Sequence, residues 1–332
     1  IQSCRNRWPD EALAWLDAAV VLTGSGSKFP PLLGTGGNDG RLDFSINYAA
    51  RLHDLFAADD GHPKPSAPGW LDASLFRTPD AQLNKGDAIG QFFPQAAGGA
   101  NQTDGFDTDT ILNPWDFVLM LEGALMFASA AVKRLGANDG AALSVPFTVR
   151  HVGVGGGSAN PGEEDDARNE IWLPLWSRPA SADELHALMA EGLAEVDGRP
   201  ARDGIEFARA VSTLGVDRGI DAFQRVGFQQ RNGLAYFATP LNRLSVQRRP
   251  KVDLLDDIDD WYGRFIGRAR GDQTPNAIAS AAQQLQRTIF QLSIHDDERR
   301  VTETLVALGR CERTLARSHG WTTNNYVPPL QD

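Results

Sequence analysis

A chain of 332 residues with 42% apolar content can bury a sizeable core, and its length suggests a soluble globular protein of two domains or lobes. Its net charge of −11 weighs against a nucleic-acid partner when taken over the whole molecule. Cys4 and Cys311 lie near opposite ends with no metal-ligand spacing, which gives a zinc or disulfide framework little support and points to a reducing, cytoplasmic compartment. The chain opens on Ile1 rather than methionine and is expected to be a piece of a longer protein.

In chain order, "PDEALAWLDAAVVL" (residues 9–22) has a proline start, acids in the first turn and helically spaced apolar residues, so it is expected to be a helix. A glycine-rich loop follows within "FPPLLGTGGNDGRLDFS" (29–45), and "SINYAARLHDLF" (45–56) is a second helix. Residues 59–69 and 94–111 read as long polar loops. Asn113-Pro114 caps the apolar "PWDFVLMLEGALMFASAAVKRL", read as a buried helix over 114–135 that Gly136 ends. Asp116 and Glu122 argue against a membrane span there, since a carboxylate at bilayer depth costs about 2.5–3.5 kcal/mol.

Strands are expected in "LSVPFTVRHV" (143–152) and in "IWLPLW" (171–176), where Pro174 implies an edge or bend. Ser181 and Glu184 form a capping box for a helix to about 195, and helices follow at 203–214 and 217–226. "RNGLAYFATP" supplies a tight turn at Asn232-Gly233 and a short strand ended by Pro240. Three more helices are expected over 253–269, 275–293 and 297–318. The fold class is α+β, predominantly helical with a small central antiparallel sheet. Its segments are a helical lobe with the glycine-rich loop (1–140), a basic mixed α/β segment (141–252) and a helical bundle (253–332).

The chemistry is sparse. "GTGGNDGR" lacks the lysine of a phosphate-binding P-loop, and Asp39 stands where a dinucleotide fingerprint needs its third glycine. What remains open is either a structural turn or an anion site in which small residues expose their amides ahead of Arg41. The second glycine run, "HVGVGGGSANPGEE", has Ser158 in place of a third glycine and Asn160-Pro161-Gly162 where a helix should begin. "DDIDD" (256–260) resembles a magnesium cluster but equally suits a helix start, where acids favour the dipole. The six histidines show no ligand spacing, and no nucleophile elbow is present, so no cofactor, metal or catalytic group is expected. Arg168 and Glu170 are expected to form an internal ion pair or an inter-subunit contact.

Charge is more informative. Residues 199–251 hold ten Lys/Arg against four Asp/Glu, a local +6, while 1–198 sum to −14 and 252–332 to −3. Fields act within about 8–10 Å at physiological salt, so the basic run is open to two readings, a nucleic-acid surface or a solvated surface with ordinary ion pairs. Arg225, Arg231, Arg243, Arg248, Arg249 and Lys251 surround Asn232 and the apolar "LAYFA". Guanidinium forks suit phosphate or guanine edges.

"CRNRWPDEALAWLDAAVVL", "FPPLLGTGGNDGRLDFS", "NPWDFVLMLEGALMFASA" and "RNGLAYFATPLNRLSV", in this order, resemble the large subunit of the subtype I-G CRISPR effector complex, formerly called I-U, a Csx-type protein. The resemblance covers essentially the whole chain, as the middle portion of a longer family protein. It departs at Ile46-Asn47-Tyr48, where the family commonly has Asn-Asn-Phe. It implies a non-catalytic component of an RNA-guided, Cascade-type antiviral interference complex. Such a component reads the short motif (PAM) flanking target double-stranded DNA, stabilises the opened R-loop and recruits a helicase-nuclease. Its partners are the guide RNA and backbone subunits, with no membrane. The residues expected to contact DNA are Gly36, Gly37, Asn38, Arg41, Arg225, Arg231, Asn232, Arg243, Arg248, Arg249 and Lys251. The competing reading is an enzyme that binds a phosphorylated small molecule at the glycine loop with Asp39 as base or metal ligand.

Overall fold

Prolines and capping side chains set the first helices. The computed structural model describes residues 1–23, 26–28, 43–78, 85–86, 110–111, 113–127, 130–132, 142–152, 170–216, 219–230, 236–271 and 273–330. After the single turn α1 (Gln2–Arg5), α2 (Asp10–Ala19) begins behind Pro9 with Asp10 and Glu11 in its first turn, where the dipole favours them. The helix expected through Leu22 stops early. β-Branched Val20 and Val21 extend into β1 (Val21–Thr23), which pairs antiparallel with β2 (Gly26–Lys28).

Next come α3 (Asp43–Leu55), then α4 (Ala67–Phe76), a helix not read from the sequence, and the short pair β3 (Lys85–Gly86) and β4 (Thr110–Ile111). In α5 (Pro114–Leu125) the Asn113 side chain accepts from the Trp115 amide at 3.0 Å. This helix ends ten residues before the expected Leu135, because the chain re-enters an extended pair, β5 (Ala130–Val132) with β6 (Ala142–Ser144). Among the described residues no helix is long and apolar enough to cross a membrane. Ala18, Phe117, Leu121 and Ala124 form one small core between α2 and α5, and Leu55, Ala67, Trp70 and Val118 another between α3, α4 and α5.

The central sheet has four antiparallel strands in the order β12 (Tyr236–Ser245), β11 (Ala222–Gln230), β8 (Glu170–Leu175), β7 (Thr148–Val149). Pro174 is tolerated in β8 because β7 pairs only with Ile171 and Glu170, leaving the proline's missing donor without a partner strand on that side. Two expectations fail here. The helix expected over 217–226 is strand β11, since Phe223, Arg225 and Gly227 face one side while Gln224, Val226 and Phe228 face the other. The strand expected to end at Pro240 runs on to Ser245. Pro240 is accommodated because β12 is an edge strand with a bulge, Leu241 and Asn242 lying opposite the single residue Arg225.

Between and after these strands lie α6 (Ala182–Glu191), closed by the Ser181/Glu184 capping box, the pair β9 (Glu195–Val196) and β10 (Arg199–Pro200), and α7 (Gly204–Thr213). A 3-10 segment (Pro250–Ile258) then leads into α8 (Asp259–Ala269), α9 (Asn276–His295), α10 (Glu298–Ala316) and α11 (His319–Asn324). The result is an α+β fold, mostly helical, with a small antiparallel sheet. One face of the sheet, through Trp172 and Phe223, lies on α7 and α9. The other, through Ile171, Val226 and Phe228, faces α5 across an apolar cavity of about 400 Å³.

The expected boundary at 252/253 does not separate two cores. Phe147, Trp172, Ile205, Phe207 and Phe223 from the middle segment share one cluster with Phe265, Leu285, Ile289 and Phe290 from the last. Fully burying a large apolar side chain contributes roughly 1.5–3 kcal/mol, so the sheet and α7 lose most of their cover if the last segment is removed. A chain ended at residue 252 is therefore expected to show no cooperative thermal transition in circular dichroism. A sharp transition in that fragment would mean that the middle segment folds alone.

Candidate nucleic-acid interface

Of the residues expected to touch DNA, Gly36, Gly37, Asn38, Arg41, Arg231 and Asn232 lie outside the described residues, as do Asp39 and Arg168. Arg231 and Asn232 belong to the segment joining two paired strands, for the β11–β12 ladder ends at Gln230 opposite Tyr236. Arg243 is exposed on edge strand β12, opposite Gln224. Arg248 is also at the surface but forks onto Asp253, with one contact at 2.7 Å. Lys251 is half-buried. Its amide donates to Asp296 Oδ1 at 2.8 Å and its ammonium reaches the Asp296 carbonyl at 3.4 Å.

Two of the expected contacts are corrected. Arg249 is buried and donates to Ser212 Oγ at 3.2 Å and the Ser245 carbonyl at 3.3 Å, tying the end of β12 to α7. Arg225 is wholly enclosed, with no surface from which to reach a duplex. Its strand parity turns it toward α7 and α9 rather than outward, which a sequence read as helix could not reveal.

Arg225 instead meets Glu170 in a bidentate pair, Nε to Oε1 at 2.9 Å and Nη2 to Oε2 at 2.6 Å, and also donates to the Val152 carbonyl at 3.0 Å. The same carboxylate accepts from Trp172 Nε1 at 2.9 Å and lies 2.9 Å from His151 Nδ1. The guanidinium carbon is 4.9 Å from the Phe290 ring centroid and 5.7 Å from that of Trp172, so its faces are covered by aromatic rings. Burial alone would push the Glu170 carboxyl up. The His151 hydrogen bond and the Arg225 charge outweigh it and hold the group below the ordinary carboxylate range. Glu170 thus has its internal ion pair with Arg225; the expected contact with Arg168 lies outside the described residues.

α7 poses a second charge problem. It is buried along nearly its whole length and still carries Glu206 and Arg209, so both must be paired. Arg209 binds Asp259 and, at 3.2 Å, Asp256. That explains "DDIDD" without a metal: Asp259 and Asp260 open α8, and Asp256 and Asp259 neutralise Arg209. Among the described residues no group of three or more His, Cys, Asp or Glu could hold a metal ion. Glu206 takes Arg202 at 2.6 Å and Arg199 at 3.0 Å. Asp203, the N-cap of α7, takes Arg150 at 3.4 Å and Arg270 at 3.3 Å. Sequence reasoning marked Asp203 only as a helix start. Arg199 and Arg202 fell within the basic window, but nothing local joins Arg150 and Arg270 to them.

In comparisons with known proteins, no family model matches the chain and no curated protein matches it.

The buried pair can be tested by stability. Removing one partner strands the other's charge, so Glu170→Gln and Arg225→Met should each cost about 3–5 kcal/mol in urea unfolding. The double variant Glu170→Gln/Arg225→Met should cost less than the sum of the two. Because the folded Glu170 carboxyl titrates below its unfolded value of about 4.3, its contribution is complete above that pH and is lost as pH falls through the depressed value. Stability of the wild type should therefore fall more steeply below about pH 4.3 than that of Glu170→Gln. Equal slopes, or additive single-variant costs, would show that the pair is not coupled.

Proposed function

We propose that this chain is a non-catalytic, nucleic-acid-binding part of the large subunit of an RNA-guided CRISPR interference complex of subtype I-G. In that role it contacts target DNA near the flanking motif, stabilises the opened strands and helps to recruit a helicase-nuclease. The observation that carries this reading is the ordered resemblance of four long stretches, of which "GTGGNDGRLDFS" is the most unusual in composition. In such complexes base pairing with the guide supplies most of the sequence information, while protein reads backbone, shape and a short motif.

The edge hairpin supports the reading. β11 and β12 lie at the edge of the four-stranded sheet, with Arg243 exposed on the outer strand; beyond β8 only Phe228–Gln230 and Tyr236–Ala238 continue as a two-stranded ribbon, and the connecting segment carries Arg231 and Asn232. A two-stranded ribbon fits the major groove, where arginine pairs with guanine and asparagine with adenine. Arg248 and Lys251 are weaker members of the set because each is already engaged by an acidic residue.

The test is salt-dependent binding of target duplex by the assembled, guide-loaded complex. Each lost phosphate contact should lower the slope of log K against log salt by about 1, so Arg41→Ala and Arg231→Ala should each flatten it by that amount. If one of them reads a base instead, affinity for the matched flanking motif should fall by about 1–3 kcal/mol with the slope kept. A complex in which removal of the whole chain leaves guide-directed DNA binding unchanged would overturn the reading.

A further inference from the structure

We propose that Arg150, Arg202 and Arg270, gathered over the start of α7, form a docking surface for the phosphodiester backbone of duplex DNA. This rests on the nucleic-acid reading above and adds a surface that the basic run of the sequence did not indicate as a unit.

The geometry is one of shared acids. Arg150 Nη2 and Arg270 Nη2 both reach the same Asp203 oxygen, Oδ2, at 3.4 and 3.3 Å. The other oxygen, Oδ1, is committed to the amides of Ile205 and Glu206 at 3.1 and 3.2 Å. The helix end is thus already capped, and the free donors above it belong to guanidinium groups rather than to backbone amides. One turn along, Arg202 and Arg199 share Glu206, and Arg199 alone among these four has a further carboxylate, Asp259 at 2.8 Å. Four cations face three acids, one of which, Asp259, is shared with Arg209.

Depth then decides what solvent meets. The Asp203 and Glu206 side chains are 8% and 5% exposed, whereas those of Arg150, Arg202 and Arg270 are 50%, 64% and 35% exposed. The acids lie beneath and the cations on top. For Arg150, partial burial and then the like charge of Arg270 lower the pKa by more than Asp203 restores. Arg150 and Arg270 share a single carboxylate, so an anion laid across both side chains would balance the second charge, while Glu206 holds the Arg202 pKa above its ordinary value. Planar guanidinium forks bind phosphate oxygens two at a time. A nucleic-acid strand presents a phosphate about every 3.4 Å of rise, so adjacent arginines can be satisfied together. An acidic peptide has no such fixed array.

The experiment titrates the chain against a mixed-sequence DNA duplex and, separately, a single-stranded RNA of equal length over a salt series. Arg150→Gln/Arg270→Gln should flatten the slope of log K against log salt by about 1.8 on the duplex. A response confined to the single strand would overturn the assignment to duplex DNA. Arg202→Gln, which leaves Arg199 on Glu206, should flatten it by about half as much. The exposed Arg299→Gln on α10 serves as a charge control and should leave the slope unchanged. Thermal unfolding of each variant checks that α7 remains folded, and Arg202→Gln carries the test if the double variant does not fold.

Wild type that binds neither polymer at low salt, or arginine variants that match the charge control, would overturn the assignment. So would displacement by poly-glutamate as effective as that by nucleic acid, which would indicate an acidic protein partner. Guide-directed target discrimination by the assembled complex is read separately. Discrimination that survives removal of the whole chain counts against the interference role, whereas flattened slopes in the arginine variants would still support this surface.

Discussion

The enclosed pair of Glu170 and Arg225 is the constraint around which the rest of the molecule is arranged. Two ions taken out of water cost several kcal/mol each, and only dense hydrogen bonding offsets that. Four elements supply it: β8 brings the carboxylate and Trp172, β11 the guanidinium, the chain after β7 brings His151 and the Val152 carbonyl, and α9 covers the cation with Phe290. Register between β8 and β11 is fixed by more than alternation as a result. Arg225 pairs directly with Trp172 across the ladder, and a slip by one residue would turn the charge toward the apolar cavity under α5.

The β12 bulge belongs to the same arrangement. By setting Leu241 and Asn242 against Arg225, it lets the edge strand continue past Pro240. α7 then closes over the pair, with Gly204 at its first position. A Cβ there would lie 1.9 Å from Glu170 Oε1, so the glycine is required by close approach and not by an unusual backbone angle. Phe207, one turn on, stacks on Trp172 with ring centroids 4.4 Å apart.

Much of the fold could be read from sequence because its signals are local. Asn113, Ser181 and Asp203 cap the helices they were expected to start or precede, and the long apolar spacing in α9 and α10 gave those helices directly. Apart from the early end of α2 and the unread α4, the failures are non-local. β11 looked helical because a buried arginine breaks strand alternation, and only a carboxylate 55 residues away accounts for it. α5 was overextended because β5 depends on pairing with β6. The basic window from 199 to 251 was legible as a charge count, but Arg209, Arg225 and Arg249 spend their charge inside the protein. A count of cations cannot separate those from Arg202 or Arg243, which remain at the surface.

Asp203 and Gly204 join the interior to the surface in two consecutive residues. Gly204 lies against Glu170 in the core, while Asp203 holds Arg150 and Arg270 outside it. The backbone strengthens this connection: the Arg150 amide donates to the Arg202 carbonyl at 3.2 Å, and the Gly204 amide donates to the Arg150 carbonyl at 3.3 Å. Arg150 is thus fixed at both its main chain and its side chain, and Arg270 leaves the end of α8 toward the same oxygen. A flexible arginine loses about 0.5–1.5 kcal/mol of rotamer freedom when it is immobilised on a ligand. Here Asp203 has already restricted both side chains, so a phosphate arriving at this surface meets donors held close to their bound positions.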